Sequence, residues 1–203
     1  MPPAAPRVVQ WAKFLGNPEA PVVVEVFLDA MCPFSGKMLR TMMDTVMPKL
    51  GQNMKLIVYN YVQTWHFSSV ILAKAAIAAG QVCPDKYFPA FRALVDVREA
   101  YLEEACCGKT YCQIMEELGS VVEGVGIDKQ KFMERADVKS EKHTDVVNEV
   151  KLHTKYGRQN SIHVTPTVII NGLIDPAISS SWGLPEWEER LKYYKEQAIP
   201  VQP

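Results

Sequence analysis

Two nearly unbroken apolar runs stand on either side of a segment whose apolar positions recur every three to four residues. The first, Val22–Leu28, is rich in β-branched residues and bounded by Asn17-Pro18 and Pro21, which predicts a buried central strand. The second covers residues 54–62. Between them, residues 32–50 carry Met38, Leu39, Met42, Met43 and Val46 at helical spacing. Strand, helix and strand make a βαβ unit, and the usual right-handed crossover implies parallel pairing.

From residue 65 to about 156 the pattern is helical. Phe67, Val70, Ile71 and Ile77 predict one helix closed by Gly80, and Tyr87, Phe91, Leu94 and Val95 a second starting near Asp85. Thr110 and Gln113 form a capping-box start for a third, with Ile114, Leu118, Val121 and Val122 on one face. Asp128 opens a short fourth, with Ile127 and Phe132 placed as a hydrophobic staple. A fifth, over 140–156, turns Val146, Val147 and Val150 inward and stops at Gly157. Strand character returns around Val168-Ile169-Ile170, and Asn171-Gly172 predicts a hairpin turn. A last helix over 185–197 presents Trp187, Leu191 and Tyr194 on one side, with Pro185 in its first turn. The order βαβ, helices, ββα predicts an α/β domain built from residues 1–64 and 157–203, with residues 65–156 inserted as a helical domain.

Composition narrows the partners. The chain has 203 residues and a formal net charge of −1, so it lacks the broad basic footprint that nucleic acid or an anionic membrane requires. Small molecules or polypeptides fit better. Five cysteines (32, 83, 106, 107 and 112) are too few for a disulfide scaffold in a chain this long, and their odd number leaves at least one thiol free or intermolecular. The longest apolar helical stretch, 70–79, is interrupted by Lys74 and is too short to span a bilayer. Met1-Pro2-Pro3-Ala4-Ala5-Pro6-Arg7 has no apolar segment of signal-peptide type. The expectation is a soluble cytoplasmic protein, or one of a secretory compartment if a leader has been removed.

The chemistry concentrates at Cys32, directly after the first strand in Phe27-Leu28-Asp29-Ala30-Met31-Cys32-Pro33-Phe34-Ser35. A cysteine where a strand turns into a helix sits over unsatisfied N–H groups and the positive dipole end, an arrangement that favours thiolate. Two-cysteine redox motifs carry a second cysteine three positions on, and this chain has Ser35. A hydroxyl can hydrogen-bond a thiolate but cannot attack a mixed disulfide. Ser35 is therefore a candidate donor to the sulfur, an ordinary first-turn residue, or a serine put in place of a cysteine by design.

Three motifs in this order resemble the DsbA-like thioredoxin-fold family: Gly16-Asn17-Pro18-Glu19-Ala20-Pro21 before the first strand, Asp29-x-x-Cys32-Pro33-Phe34, and Val164-Thr165-Pro166-Thr167 before the hairpin. The resemblance covers about residue 7 to the end. It implies a thioredoxin-like α/β fold with a helical insertion and a cis Pro166 facing the nucleophile. It also implies a substrate groove formed by Pro33, Phe34, Thr165 and Pro166, in which the Thr165 backbone pairs with an extended segment. His66, read as the start of the first inserted helix, stands where relatives often carry a histidine and is a candidate for the cleft; a capping or packing role is its alternative. Val26 replaces a buried acid of many relatives, Glu25 points to the opposite face by strand alternation, and Val164 replaces a frequent glycine.

Other groups give weaker signals. Cys106, Cys107 and Cys112, with Cys83, lack paired C-x-x-C spacing, so zinc is a poor fit and a disulfide among them is expected in an oxidising compartment. His163 flanks Pro166, while His143 and His153 are read as surface or core-edge residues. The methionine-rich face of the first helix is read as core.

The first functional reading is a monothiol thiol-disulfide oxidoreductase with Cys32 and Ser35 at its centre and no metal or resident cofactor. Its partners would be protein or peptide thiols and disulfides, with glutathione as co-substrate. The rivals are a redox-inactive peptide-binding protein and a glutathione transferase of kappa type, in which a serine near the first helix start activates glutathione.

Overall fold

A computed structural model describes residues 12–197. The opening residues 1–7 and the end of the chain past 197, on which parts of the sequence reading rest, lie outside the described residues. The strands β1 (Phe14–Gly16), β2 (Val22–Leu28), β3 (Met54–Asn60), β4 (Thr167–Ile170) and β5 (Leu173–Ile174) form one mixed sheet in the order β1-β3-β2-β4-β5. β2 and β3 run parallel from Val22 opposite Met54 to Leu28 opposite Asn60, as the crossover rule requires. β4 returns antiparallel on β2, and Asn171-Gly172, both at positive φ, turn it into β5. β3 stops at Asn60 rather than residue 62 because Gln63 N–H leaves the sheet for the Asp29 carboxylate.

The crossover is one helical path with an interruption: α1 (Pro33–Thr41), a π-helical turn (Met42–Val46) and α2 (Met47–Leu50). Pro48 brings no N–H to the ladder, and the preceding turn widens so that Met47 N–H reaches Met42 O. Its buried side, Met38, Leu39, Met42 and Val46, lies against the sheet as the spacing predicts.

The helices α3 (Ser69–Val82), α4 (Tyr87–Asp96), α5 (Tyr111–Gly124), α6 (Lys129–Ala136) and α7 (Glu141–Gln159) follow before β4. The capping box at Thr110 and Gln113 is formed in both directions, and Asp128 caps α6 with Ile127 and Phe132 buried beside it. Two expected helix ends are overturned. α3 runs through Gly80, whose bare Cα gives room to the Tyr87 ring, and α7 runs through Gly157, which lies against Tyr61. Both glycines are close-packing residues, not terminators. Phe67, read as part of α3, lies before it, and both Phe67 and Val70 are exposed. On α7, His143, Val146 and His153 are buried whereas Val147 and Val150 are only half-buried, so both histidines belong to the interior and not to the surface or core edge. The closing helix α8 (Leu184–Gln197) buries Trp187 and Leu191.

One continuous apolar core joins the sheet, α1, and residues of α3 to α7. The opposite sheet face carries a smaller core of Phe27, Ile57, Tyr59, Tyr61, Ile162 and Ile169, with Tyr156 of α7 packed on it. Glu25 is buried there, accepting from Tyr59 and Tyr156 hydroxyls at 2.9 and 2.8 Å, as strand alternation predicts. Burial first, and then the neighbouring Glu25, pushes both tyrosines above their ordinary range. Among the described residues no helix is long and apolar enough to cross a membrane.

Candidate active site

Cys32 ends the β2–α1 loop in an extended conformation and is the N-cap of α1, with Pro33 opening the first turn. Its N–H donates to Asp29 O at 3.0 Å and its carbonyl accepts from Gly36 N–H at 3.0 Å, so the loop is tied on both sides of the sulfur. The side chain makes no capping bond to the helix. Instead Sγ donates to the carbonyl oxygen of Thr165 at 3.3 Å. The Thr165-Pro166 peptide is cis, and the contact of Sγ with Thr165 O shows that the loop before β4 faces the cysteine. Cys32 is 5% exposed, while Pro33 and Phe34 stand out beside it.

Ser35 takes a different place from the donor role considered for it. It is 1% exposed, and its Oγ accepts the N–H of Asp29 at 3.2 Å. Among the described residues no hydrogen bond joins it to the sulfur. A hydroxyl enclosed in this way also suits poorly the activation of glutathione expected of a kappa-type transferase.

Asp29, which motif reading quoted without assigning it work, is the hub. Its buried carboxylate accepts from Met31 N–H at 2.9 Å, Gln63 N–H at 3.0 Å and Ser69 Oγ at 2.6 and 2.7 Å. His66 Nδ1 completes the set at 2.8 Å from Oδ2. The signal that could have found it is an acid three residues before the cysteine, at the end of an otherwise apolar strand: such a group must be met by donors on folding. His66 does not begin α3; it lies in the turn before Ser69, where Gln63, His66 and Ser69 all reach one carboxylate.

The β3–α3 turn also touches the cis-proline loop, Gln63 Nε2 donating to His163 O at 3.4 Å. Cys32, Ser35, Asp29, His66, Thr165 and Pro166 therefore belong to three segments joined by hydrogen bonds. Phe34, Trp65, Phe67 and Val164, on those same segments, are large apolar residues left exposed. A cavity of about 300 Å³ lies beside the loop, lined in part by His163, Val164, Pro166 and Thr167.

The remaining candidates fall elsewhere. His153 is buried on α7, accepts Asn60 N–H at Nδ1 at 2.9 Å, and is held neutral by burial, its pKa lowered to about 3. All five cysteines are free, so the disulfide expected within the Cys83, Cys106, Cys107 and Cys112 group is not formed. Cys106 is buried whereas Cys107 and Cys112 are exposed, which separates the vicinal pair between core and solvent. Burial pushes the Cys106 thiol up. Among the described residues no group of three or more His, Cys, Asp or Glu side chains is placed to hold a metal ion.

Comparison with known proteins agrees with this geometry. The chain matches the family model described as Thioredoxin over residues 11–181. No curated protein sequence matches it. Among solved structures it is similar to a Pseudomonas syringae protein provisionally named a protein-disulfide isomerase, at 27% identity and a TM-score of 0.74, covering 88% of this chain and 96% of that one. It is also similar in fold to oxidised BdbD of Bacillus subtilis, at 17% identity and a TM-score of 0.72, covering 92% and 94%. A third likeness is to the thiol-disulfide exchange protein alpha-DsbA2 of Wolbachia pipientis, at 17% identity and a TM-score of 0.70, covering 90% and 86%. The DsbA-like resemblance and the thioredoxin-like fold read from the motifs are both borne out.

Proposed function

This chain belongs to the thioredoxin family, and from that premise we propose that it is a thiol-disulfide oxidoreductase of monothiol type. The observation that carries the proposal is the placement of the Cys32 sulfur at the start of α1 and 3.3 Å from Thr165 O, with serine, not cysteine, three residues on. Cys32 thiolate attacks a disulfide, forming a mixed disulfide with one sulfur and releasing the other as a thiol. Ser35 cannot resolve that bond, so a second thiol from outside does so, glutathione or a substrate cysteine. The exposed Phe34, Trp65, Phe67 and Val164 supply apolar contact for a protein or peptide substrate, and the Thr165 backbone lies where an extended segment can pair. A cytoplasmic setting, where thiols are kept reduced, fits a resolving thiol that comes from outside the chain.

The near-complete enclosure of Cys32 supports a second reading, a binding protein whose groove holds peptide without turnover. Incubation with oxidised glutathione, read as the mass of the Cys32 peptide, separates the two. An adduct at Cys32 that reduced glutathione removes is the expected result. A Cys32 that stays unmodified while Cys107 and Cys112 react sinks the oxidoreductase reading and leaves the binding protein.

A further inference from the structure

Two groups that a dithiol site would use for proton transfer and resolution are missing together here: position 35 is serine, and the strand position that the resemblance gives to a buried acid is Val26. The resolving thiol must come from solvent, where an ordinary thiol with a pKa near about 8.5 is mostly protonated at neutral pH. To attack it must give up that proton.

A base is present. Asp29 Oδ2 lies 2.8 Å from His66 Nδ1. A carboxylate accepts, so this bond puts a proton on Nδ1, and in the neutral ring the lone pair is then on Nε2. Asp29 cannot swing away, because Met31 N–H, Gln63 N–H and Ser69 Oγ hold it as well. The His66 side chain is 21% exposed, with the Trp65 ring edge-on at 5.9 Å. Gln63 links this turn to both Asp29 and the cis-proline loop, and Cys32 N–H bonds Asp29 O, so one hydrogen-bond network ties the imidazole to the segments that carry the sulfur. Among the described residues Asp29 is the charged group in contact with the ring. Cys32 and His163 are the other titratable groups on the loops tied to it.

We infer that His66, oriented by Asp29, is the base that takes the proton from a small external thiol as that thiol resolves the Cys32 mixed disulfide. The inference rests on Cys32 being the nucleophile proposed above. The incoming sulfur bonds to the substrate-side sulfur, the bond from that sulfur to Cys32 breaks, and Cys32 leaves as thiolate. The thiol proton passes to His66 Nε2 and then to Cys32 or water. The external thiol is oxidised into a new disulfide and Cys32 is reduced, so electrons balance without another reactant. Asp29 is the positioning residue.

The test uses His66→Gln in the full chain. Cys32 is loaded with glutathione from an activated aromatic disulfide, whose acidic leaving thiol needs no proton, and resolution is followed by the mass of the Cys32 peptide. With reduced glutathione near pH 7, where a thiol of pKa about 8.5 is only about 3% ionised, the variant should resolve at least about tenfold more slowly than the parent. That defect should shrink toward parity at about pH 9.5, where the attacking thiol ionises unaided. It should vanish when the resolving agent is an aromatic thiol already ionised at pH 7. Equal loss with both thiols, or loss that does not change with pH, assigns His66 a structural role and overturns the inference, as does no loss at all. Failure of the activated disulfide to load parent Cys32 is distinguishable from these, and removes the nucleophile reading itself.

Discussion

Ser35 Oγ accepts the backbone N–H of Asp29 at 3.2 Å, closing the loop that presents Cys32 from the inside. The serine thus has structural work independent of any contact with sulfur. Ser35→Ala leaves a buried N–H without its acceptor, which costs about 1–3 kcal/mol. Denaturant titration should show that loss while the Cys32 adduct with oxidised glutathione still forms. Loss of the adduct at unchanged stability would mean that the hydroxyl acts on the sulfur after all.

Ser35→Cys restores a thiol at the third residue of α1, at a spacing from Cys32 compatible with the Cα separation of a disulfide. Mild oxidation should remove two hydrogens from the variant and block glutathione addition at Cys32. An unchanged mass after oxidation, with both thiols alkylatable, would show that the enclosed position 35 cannot reach the sulfur.

Gly157 lies inside α7 with the Tyr61 ring where a Cβ would go, and Tyr61 is fixed by its hydroxyl bond to Ile162 O at 2.7 Å. Alanine gains about 1 kcal/mol of helix propensity. Overpacking a fixed ring costs about 1–3 kcal/mol. The second effect should win, so Gly157→Ala lowers the thermal midpoint; a rise would show that α7 can shift away from the sheet.

His153 is neutral in the fold, its pKa lowered by burial from 6.5 to about 3. The unfolded chain binds its proton first on acidification, so the stability from keeping it neutral is present above about pH 6.5 and is lost as pH falls toward about 3. The parent should lose a few kcal/mol more than His153→Gln across that window, each pK unit being worth about 1.4 kcal/mol. Parallel stability curves for the two proteins would place the imidazole's titration at its ordinary value.

Cys106 and Cys107 are adjacent in sequence and opposite in exposure. Brief alkylation of the native protein should label Cys107 and Cys112 and spare Cys106, whose thiol burial pushes up. Equal labelling of the vicinal pair would show that the turn after Tyr101 opens readily.

Much of this was legible in the chain. The β2 run, the helical spacing of Met38 to Val46, the capping box at Thr110 and the Asn171-Gly172 turn each reach the fold through local physics, a period or a turn preference, and each stands where the sequence placed it. β1 was missed, since three residues are too few to show alternation and pair only because β3 lies beside them.

Sequence also singled out Cys32 as the candidate centre and paired it with Thr165-Pro166, because motif order survives without coordinates, and Sγ does meet Thr165 O. Only the tertiary structure decided what surrounds it. Gly80 and Gly157 read as helix ends because a missing side chain looks alike whether it frees the backbone or admits a neighbouring ring. Asp29 and His66 are 37 residues apart, and their contact depends on β3 delivering the turn before α3 to the end of β2. Ser35 was recognised as the absence of a thiol; its bond to Asp29 N–H comes from the curvature of a folded loop, which no spacing of residues along the chain expresses.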